Sequence, residues 1–326
     1  SYSLANVATV SFSYTAGGTT NIETYVETNG NNITQSTVNV GQNGTEEAGG
    51  YLLNDAIINA TNINVTQEGT FCNVGTTSAT TIANSGIVDI EDGNVNVTSI
   101  TTAANATTNI YGGNVNADNI TNNGEANITG GTVVADIIEN TGGGTTTIAG
   151  GDVVANTSIT NSGTGDTDIY SVVKTPLVSA TNGDINIYAT NGQTATSNLL
   201  RDVAGTGLAN VTTSAGSTVS GNTNSRALVI DNNVSGAGTL NLNGAAGSEF
   251  YVGPNATVSS ALNIAAGQLN ALDGSNITGP ISVAANATLS TMNGDYSTSN
   301  NVTFADRANL KVDVNAISNQ TDKFVS

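Results

Sequence analysis

The chain has 326 residues and a formal charge of −19, from 25 acidic and 6 basic side chains and no His. Asn, Thr and Gly number 48, 50 and 38, Trp is absent, and Cys and Met occur once each. These counts argue against a helical fold, since strong helix formers are scarce while Thr, Val, Ile and Asn abound, and against a nucleic-acid-binding face or any His-dependent nucleophile or zinc site.

At the amino terminus, residues 1–14 (SYSLANVATVSFSY) place apolar side chains at Tyr2, Leu4, Ala8, Val10, Phe12 and Tyr14, broken only by Asn6. Period-2 alternation of this length predicts a strand. Residues 1–55 are expected to cap a stack of coils whose open end would otherwise expose strand edges. The alternative is that the strand joins a neighbouring subunit. The start at Ser1 without Met leads us to expect a processed or excised piece.

Residues 56–196 are expected to form regular coils. Four segments, VDIEDGNVNVTSI, TNIYGGNVNADNI, ANITGGTVVADII and TTIAGGDVVANTSI, carry first anchors Ile90, Ile110, Ile128 and Ile148, and Ile169 opens a fifth. A Gly-containing corner follows each of the first four, then Val95, Val115, Val133 or Val153, then Ile100, Ile120, Ile137 or Ile138, and Ile159. A unit of about 20 residues with three short strands cannot bury its own apolar face; stacking on equivalent strands roughly 4.8 Å away does so. The expected fold is therefore all-β, a parallel β-helix (β-solenoid) with three short strands per coil. Ile and Val columns fill its interior, Gly and Asn turn its corners, and Asn at equivalent corners could form ladders. From residue 56 onward, about 12–14 such coils would make a rod near 60–65 Å long.

Residues 197–207 (SNLLRDVAGTG) have the most helix-like local pattern and are expected to form an excursion loop or short helix. Residues 208–326 continue the solenoid with longer, irregular coils, marked by VGPNATV, VAANATL and FADRANL. The run from Phe304 to Phe324 resembles the terminal repeats of autotransporter passenger domains and related bacterial surface adhesins. Leu310, Val312, Asp313, Val314, Asp322, Lys323 and Phe324 carry the match. That resemblance implies a right-handed parallel β-helix displayed outside a bacterial cell. The chain departs from the family pattern in having no translocator barrel and in stopping at Ser326, which suggests a fragment of a longer protein.

Several residues are candidate sites. Asp166, Thr167 and Asp168, like Asp89, Ile90, Glu91 and Asp92, put alternate carboxylates on one side of a strand, as Ca²⁺ binding or glycoside hydrolysis would need. Yet no calcium-loop motif accompanies them, Trp is absent, and only Lys174 lies near. Cys72, in FCNV, reads as a small buried hydrophobe. Sixteen Asn-x-Ser/Thr sequons, among them Asn32, Asn64, Asn96, Asn127, Asn255 and Asn286, exceed chance expectation only modestly. The Tyr residues read as core or cap packing rather than a binding patch.

No catalytic, cofactor-binding or metal residue is therefore assigned. The expected function is that of a non-catalytic structural or adhesive solenoid, extracellular, with a cell-surface ligand or copies of itself as partner. A self-assembling fibre or sheath subunit is the first alternative, and a polysaccharide-acting β-helix enzyme the second. No nucleic-acid partner is expected, and no apolar run approaches the roughly 20 residues of a membrane span.

Overall fold

A computed structural model describes residues 18–23, 25–41, 49–189, 199–204, 206, 208–223, 227–245, 247–272, 274–291, 301–312, 314–315 and 320–321. The residue 1–14 strand expectation lies outside them. Among the described residues the fold is all-β without helix, and parallel stacked strands form a β-solenoid of about 13 turns. The chain divides into two compact units, residues 1–156 and 157–326.

In the first unit each regular coil has one nine-residue strand and one four-residue strand. Asn94–Thr102 is followed by Thr107–Ile110, Asn114–Asn122 by Glu125–Ile128, and Thr132–Asn140 by Thr145–Ile148. The long strand merges two of the three pieces read from the sequence. Its inward residues are Val95 and Val97, then Ile100 and Thr102, so strict alternation slips once at residues 98–99. Because strand side chains alternate faces, that slip is a bend: the chain turns a corner without leaving the sheet.

Parallel pairing then locks every coil to the next. Asn114–Asn122 pairs with Asn94–Thr102 and with Thr132–Asn140 so that Val95, Val115 and Val133 stack, as do Ile100, Ile120 and Ile138. Between Ile137 and Ile138, the inward anchor is thus Ile138. Ile90, Ile110, Ile128 and Ile148 form a third column at the ends of the short strands. All of these side chains are buried. β-branched side chains suit such fully enclosed pleats.

Glycine makes the corner after four successive short strands. Gly93, Gly113, Gly131 and Gly151 have φ between 71° and 81°, a left-handed conformation open to Gly at little cost. Close packing adds a second requirement, since a Cβ on Gly93 would fall 1.8 Å from the Gly75 carbonyl oxygen.

The corner after each long strand varies, and this explains the uneven repeat. Four residues (103–106 and 141–144) connect the strands in two coils, but only Asn123 and Gly124 do so between them, which makes the Ile110-to-Ile128 spacing 18. Here an inward Asn manages the turn. Asn122 Oδ1 accepts from the Gly124 amide at 3.0 Å, and its Nδ2 reaches the Gly124 carbonyl, the Thr145 carbonyl and Thr146 Oγ1, each at 3.0 Å. Asn84 does the same work for Gly86, Thr107 and Thr108. Asn54, Asn73, Asn84, Asn122, Asn140 and Asn161 are all buried, so Asn belongs to the interior as well as to corners and outer faces.

The second unit has coils with three strands in three sheets. Asn210–Thr213, Thr218–Thr223 and Ala227–Ile230 are followed in register by Val234–Gly236, Thr239–Gly244 and Glu249–Val252. The VGPNATV, VAANATL and FADRANL phrases build one kind of corner. Ala256, Ala287 and Ala308 each donate a backbone hydrogen bond three residues back, to Gly253, Ala284 and Ala305. Ala106 donates likewise to Ala103 in the first unit. The two repeats that look unlike each other in sequence therefore share a turn.

Residues 197–207 contribute a strand among the described positions. Leu200–Arg201 pairs in parallel with Val173–Lys174, and Leu199 and Leu200 are fully buried. Nearby, Gly221 occupies an inward column between Ile187 and Leu242. The missing side chain leaves a small apolar cavity lined by Ile187, Val219, Ile230 and Leu240.

Two stability outcomes follow from this packing. Asn122→Leu, which strands the Gly124 amide and Thr146 hydroxyl, is expected to cost about 2 kcal/mol, read as a lower urea midpoint. Gly221→Ala is expected to stabilise by about 0.5–1 kcal/mol, because Ala loses less backbone entropy than Gly in a strand. Its Cβ would meet only side-chain methyls, the nearest being Leu228 Cδ2 at 3.1 Å.

Candidate functional site

Register builds the outer surface as strictly as the interior. A residue facing outward in one strand stands beside its equivalents in the coils above and below, so surface chemistry comes in columns. Asn39 Nδ2 donates to Asn21 Oδ1 and Asn64 Nδ2 to Asn39 Oδ1, both at 2.8 Å. In the short-strand sheet, Asn109 donates to Asp89 at 2.8 Å and Asn127 to Asn109 at 3.0 Å. Such side-chain ladders run alongside the backbone ladder beneath them.

The two carboxylate clusters fall on this surface. Asp89 faces outward and is held by Asn109, Ile90 turns inward as an anchor, and Glu91 and Asp92 lie in the corner, where Asp92 Oδ1 accepts from the Gly93 amide at 2.7 Å. In the second unit Thr167 is buried and Asp166 and Asp168 face outward, as alternation requires. Pairing brings Asp184 beside Asp166 and Asn186 beside Asp168. Asn186 Nδ2 donates to Asp168 Oδ1 at 2.9 Å, and Asp184 Oδ1 accepts from the Thr218 amide at 2.8 Å. Partial burial, then the charges of Asp168 and Asp184, push the Asp166 carboxyl above its ordinary value. Among the described residues no group of three or more Cys, Asp or Glu is placed to hold a metal ion.

Beside these carboxylates lies a feature that inspection of the sequence missed. The rings of Tyr170 and Tyr188 stack at 4.2 Å between centroids and 3° between planes. They follow Ile169 and Ile187, which the register pairs, so the coil spacing applied to Tyr170 would have found the partner. A second stack joins Tyr25 to Tyr51 at 5.1 Å and 12°. These tyrosines sit on outer faces rather than in the core.

Cys72 stands in an outward-facing register position, between Leu53 and Asp89, yet is only 3 % exposed. It shares a hydrogen bond with the Tyr51 hydroxyl. Burial raises its pKa most, the Tyr51 contact works against that, and the Glu91 and Asp89 carboxylates add to the rise, so the thiol stays protonated and a poor nucleophile. Burial and the same contact push the Tyr51 phenol well above its usual range.

A notch also opens on the first unit. The two-residue corner at Asn123 and Gly124 is shorter than its neighbours, and a cleft of about 630 Å³ lies there, lined by Asn105, Thr107, Asn123, Glu125, Gly144 and Thr147. Among the described residues its one ionisable lining group is Glu125. The notch can accept hydroxyl or amide groups but holds no acid–base pair.

No protein family, curated protein or solved structure matches the chain.

Tyr188 supplies the testable electrostatic consequence. Burial, then the Asp168 charge, push its phenol from an ordinary value near 10 up to about 12. The folded state therefore keeps a proton that the unfolded chain releases first. Its contribution to stability is complete below pH 10 and is lost as pH rises toward 12. Alkaline titration followed by phenolate absorbance should show a late-ionising group that disappears in Tyr188→Phe.

Proposed function

We propose that this chain is a non-catalytic structural or adhesive β-solenoid of a bacterial surface or secreted protein, working outside the cell. The observation that supports this most is the pairing of outward polar side chains from coil to coil. Asp89 with Asn109 and Asn127, Asp168 with Asn186, and Asn241 with Asn263 spend their hydrogen-bonding capacity on one another. A surface satisfied in this way is suited to standing in water, at high net negative charge, and presenting shape rather than reacting.

The passenger-like phrase is consistent with the same reading. Phe304 lies in the strand Val302–Phe304 and Leu310 in Asn309–Lys311, in the last coil of the second unit. A relation to autotransporter passengers is part of the proposal, as are the extracellular location and a cell-surface ligand.

Beads carrying the purified chain are expected to retain cells or cell-wall polysaccharide while releasing no reducing ends from a polysaccharide panel. Release of sugar that disappears in Asp166→Asn or Asp168→Asn would replace this reading with a polysaccharide-acting enzyme.

A further inference from the structure

The oxidation chemistry of this chain is confined to few residues. It has no Trp or His, one Cys, one Met and nine Tyr. Cys72 is buried and its thiol is held protonated, whereas oxidants favour accessible thiolates. One-electron oxidants therefore act chiefly on phenols. Exposure and ring pairing do not coincide among them. Tyr111 is 52 % exposed, and among the described residues no ring stacks on it, while Tyr170 and Tyr188 are half-buried and stacked.

The stack is close. Centroids 4.2 Å apart and planes 3° apart lay the two rings face against face. Each Tyr follows one member of the register pair Ile169 and Ile187, and Tyr170 shares a side-chain hydrogen bond with Tyr188. The two phenolic ends consequently lie together. The ring carbons flanking each hydroxyl, where a phenoxyl radical carries unpaired spin, are neighbours before any oxidation begins. Coupling inside such a pair has an effective concentration that no encounter between separate chains matches. The Asp168 and Asp166 carboxylates act on Tyr188, and nearby anions favour the positive charge a ring acquires as its electron leaves. Tyr25 and Tyr51 stack less closely, at 5.1 Å and 12°, and the Tyr51 hydroxyl is engaged by Cys72.

We propose that Tyr170 and Tyr188 form a cross-linking site, joined by a carbon–carbon bond when the chain meets hydrogen peroxide and a haem peroxidase. Each phenol gives up one electron and its hydroxyl proton. The two phenoxyl radicals then form one bond between ring carbons ortho to oxygen. Each of those carbons passes its proton to the neighbouring oxygen, which restores both hydroxyls. The two electrons and two protons released reduce one hydrogen peroxide to two waters. The new bond closes residues 171–187 into a covalent ring across the outer face of successive coils. A cross-link of this kind restricts the unfolded chain more than the folded one, so the linked coils resist unfolding. This goes beyond the surface-solenoid reading, and neither depends on the other.

The test treats the full chain with hydrogen peroxide and a haem peroxidase, then maps linked peptides by mass spectrometry after digestion. The peroxidase dose is the one at which added N-acetyltyrosinamide couples to Tyr111 in a separate aliquot. A Tyr170–Tyr188 link, two hydrogens lighter than the separate peptides, should form in chains that still run at 32.5 kDa. Its yield should not change when the chain is diluted about tenfold, as for a reaction within one molecule. Links through Tyr111 should join separate chains and fall with dilution. The treated chain should also unfold at a higher urea midpoint than Tyr170→Phe treated in the same way. Absence of the Tyr170–Tyr188 peptide at that dose overturns the proposal. A yield that falls with dilution as steeply as the Tyr111 links overturns it too, since the bond would then arise between chains. Either result leaves the surface-solenoid reading intact.

Discussion

In-register parallel pairing between successive coils is the interaction on which the rest of this structure depends. A single coil of 18 to 21 residues encloses too little apolar surface to stand alone. Once its strands bond to those of the next coil, each inward residue meets its own equivalent, and a modest supply of Ile and Val becomes continuous columns. Ile90, Ile110, Ile128 and Ile148 show the effect: four residues far apart in sequence become one buried stripe. A composition this rich in Asn, Thr and Gly is sufficient because the interior is narrow and every coil shares it.

Pairing sets demands that the other residues meet. Coils can stack at strand spacing only if their corners are compact. This selects Gly where a left-handed turn passes close to a carbonyl, as at Gly93, and Asn where a buried amide must finish the hydrogen bonds that the turn leaves open. Asn122 and Asn84 each satisfy a backbone amide two residues ahead and groups in a later strand. Burying an amide is costly unless it is paired; here one side chain closes the local turn and also ties it to a neighbouring coil. Thr108 and Thr146 take part in the same inward networks.

The same constraint organises the surface. Outward residues cannot be chosen independently, because each will stand at strand spacing from its equivalents. Burial first, then the charges of Asp168 and of Asp184 stacked beside it, hold the Asp166 carboxyl above its ordinary value, whereas Asp on Asn is bonded. The alternation of Asp168 with Asn186, and of Asp89 with Asn109, therefore resolves a conflict created by the fold. Among the described residues, Phe304 and Leu310 continue inward columns yet remain exposed.

The sequence by itself determined the class of the fold and most of its interior. The spacing of Ile90, Ile110, Ile128, Ile148 and Ile169 identifies equivalent residues, and alternation around Val95 and Ile100 identifies which faces point inward. Tertiary structure decided what lies beside what. It merged two pieces into one bent strand, chose Ile138 over Ile137, and drew Asn122 inward although its neighbours in sequence are corner residues. It also set Tyr188 on Tyr170 and Asp184 next to Asp166. The reason is that a period names equivalents but does not say how many residues each corner spends between them. Corners in the regular coils hold two, three or four residues, and one residue of slip exchanges the inner face for the outer; only the stacked coils fix that count.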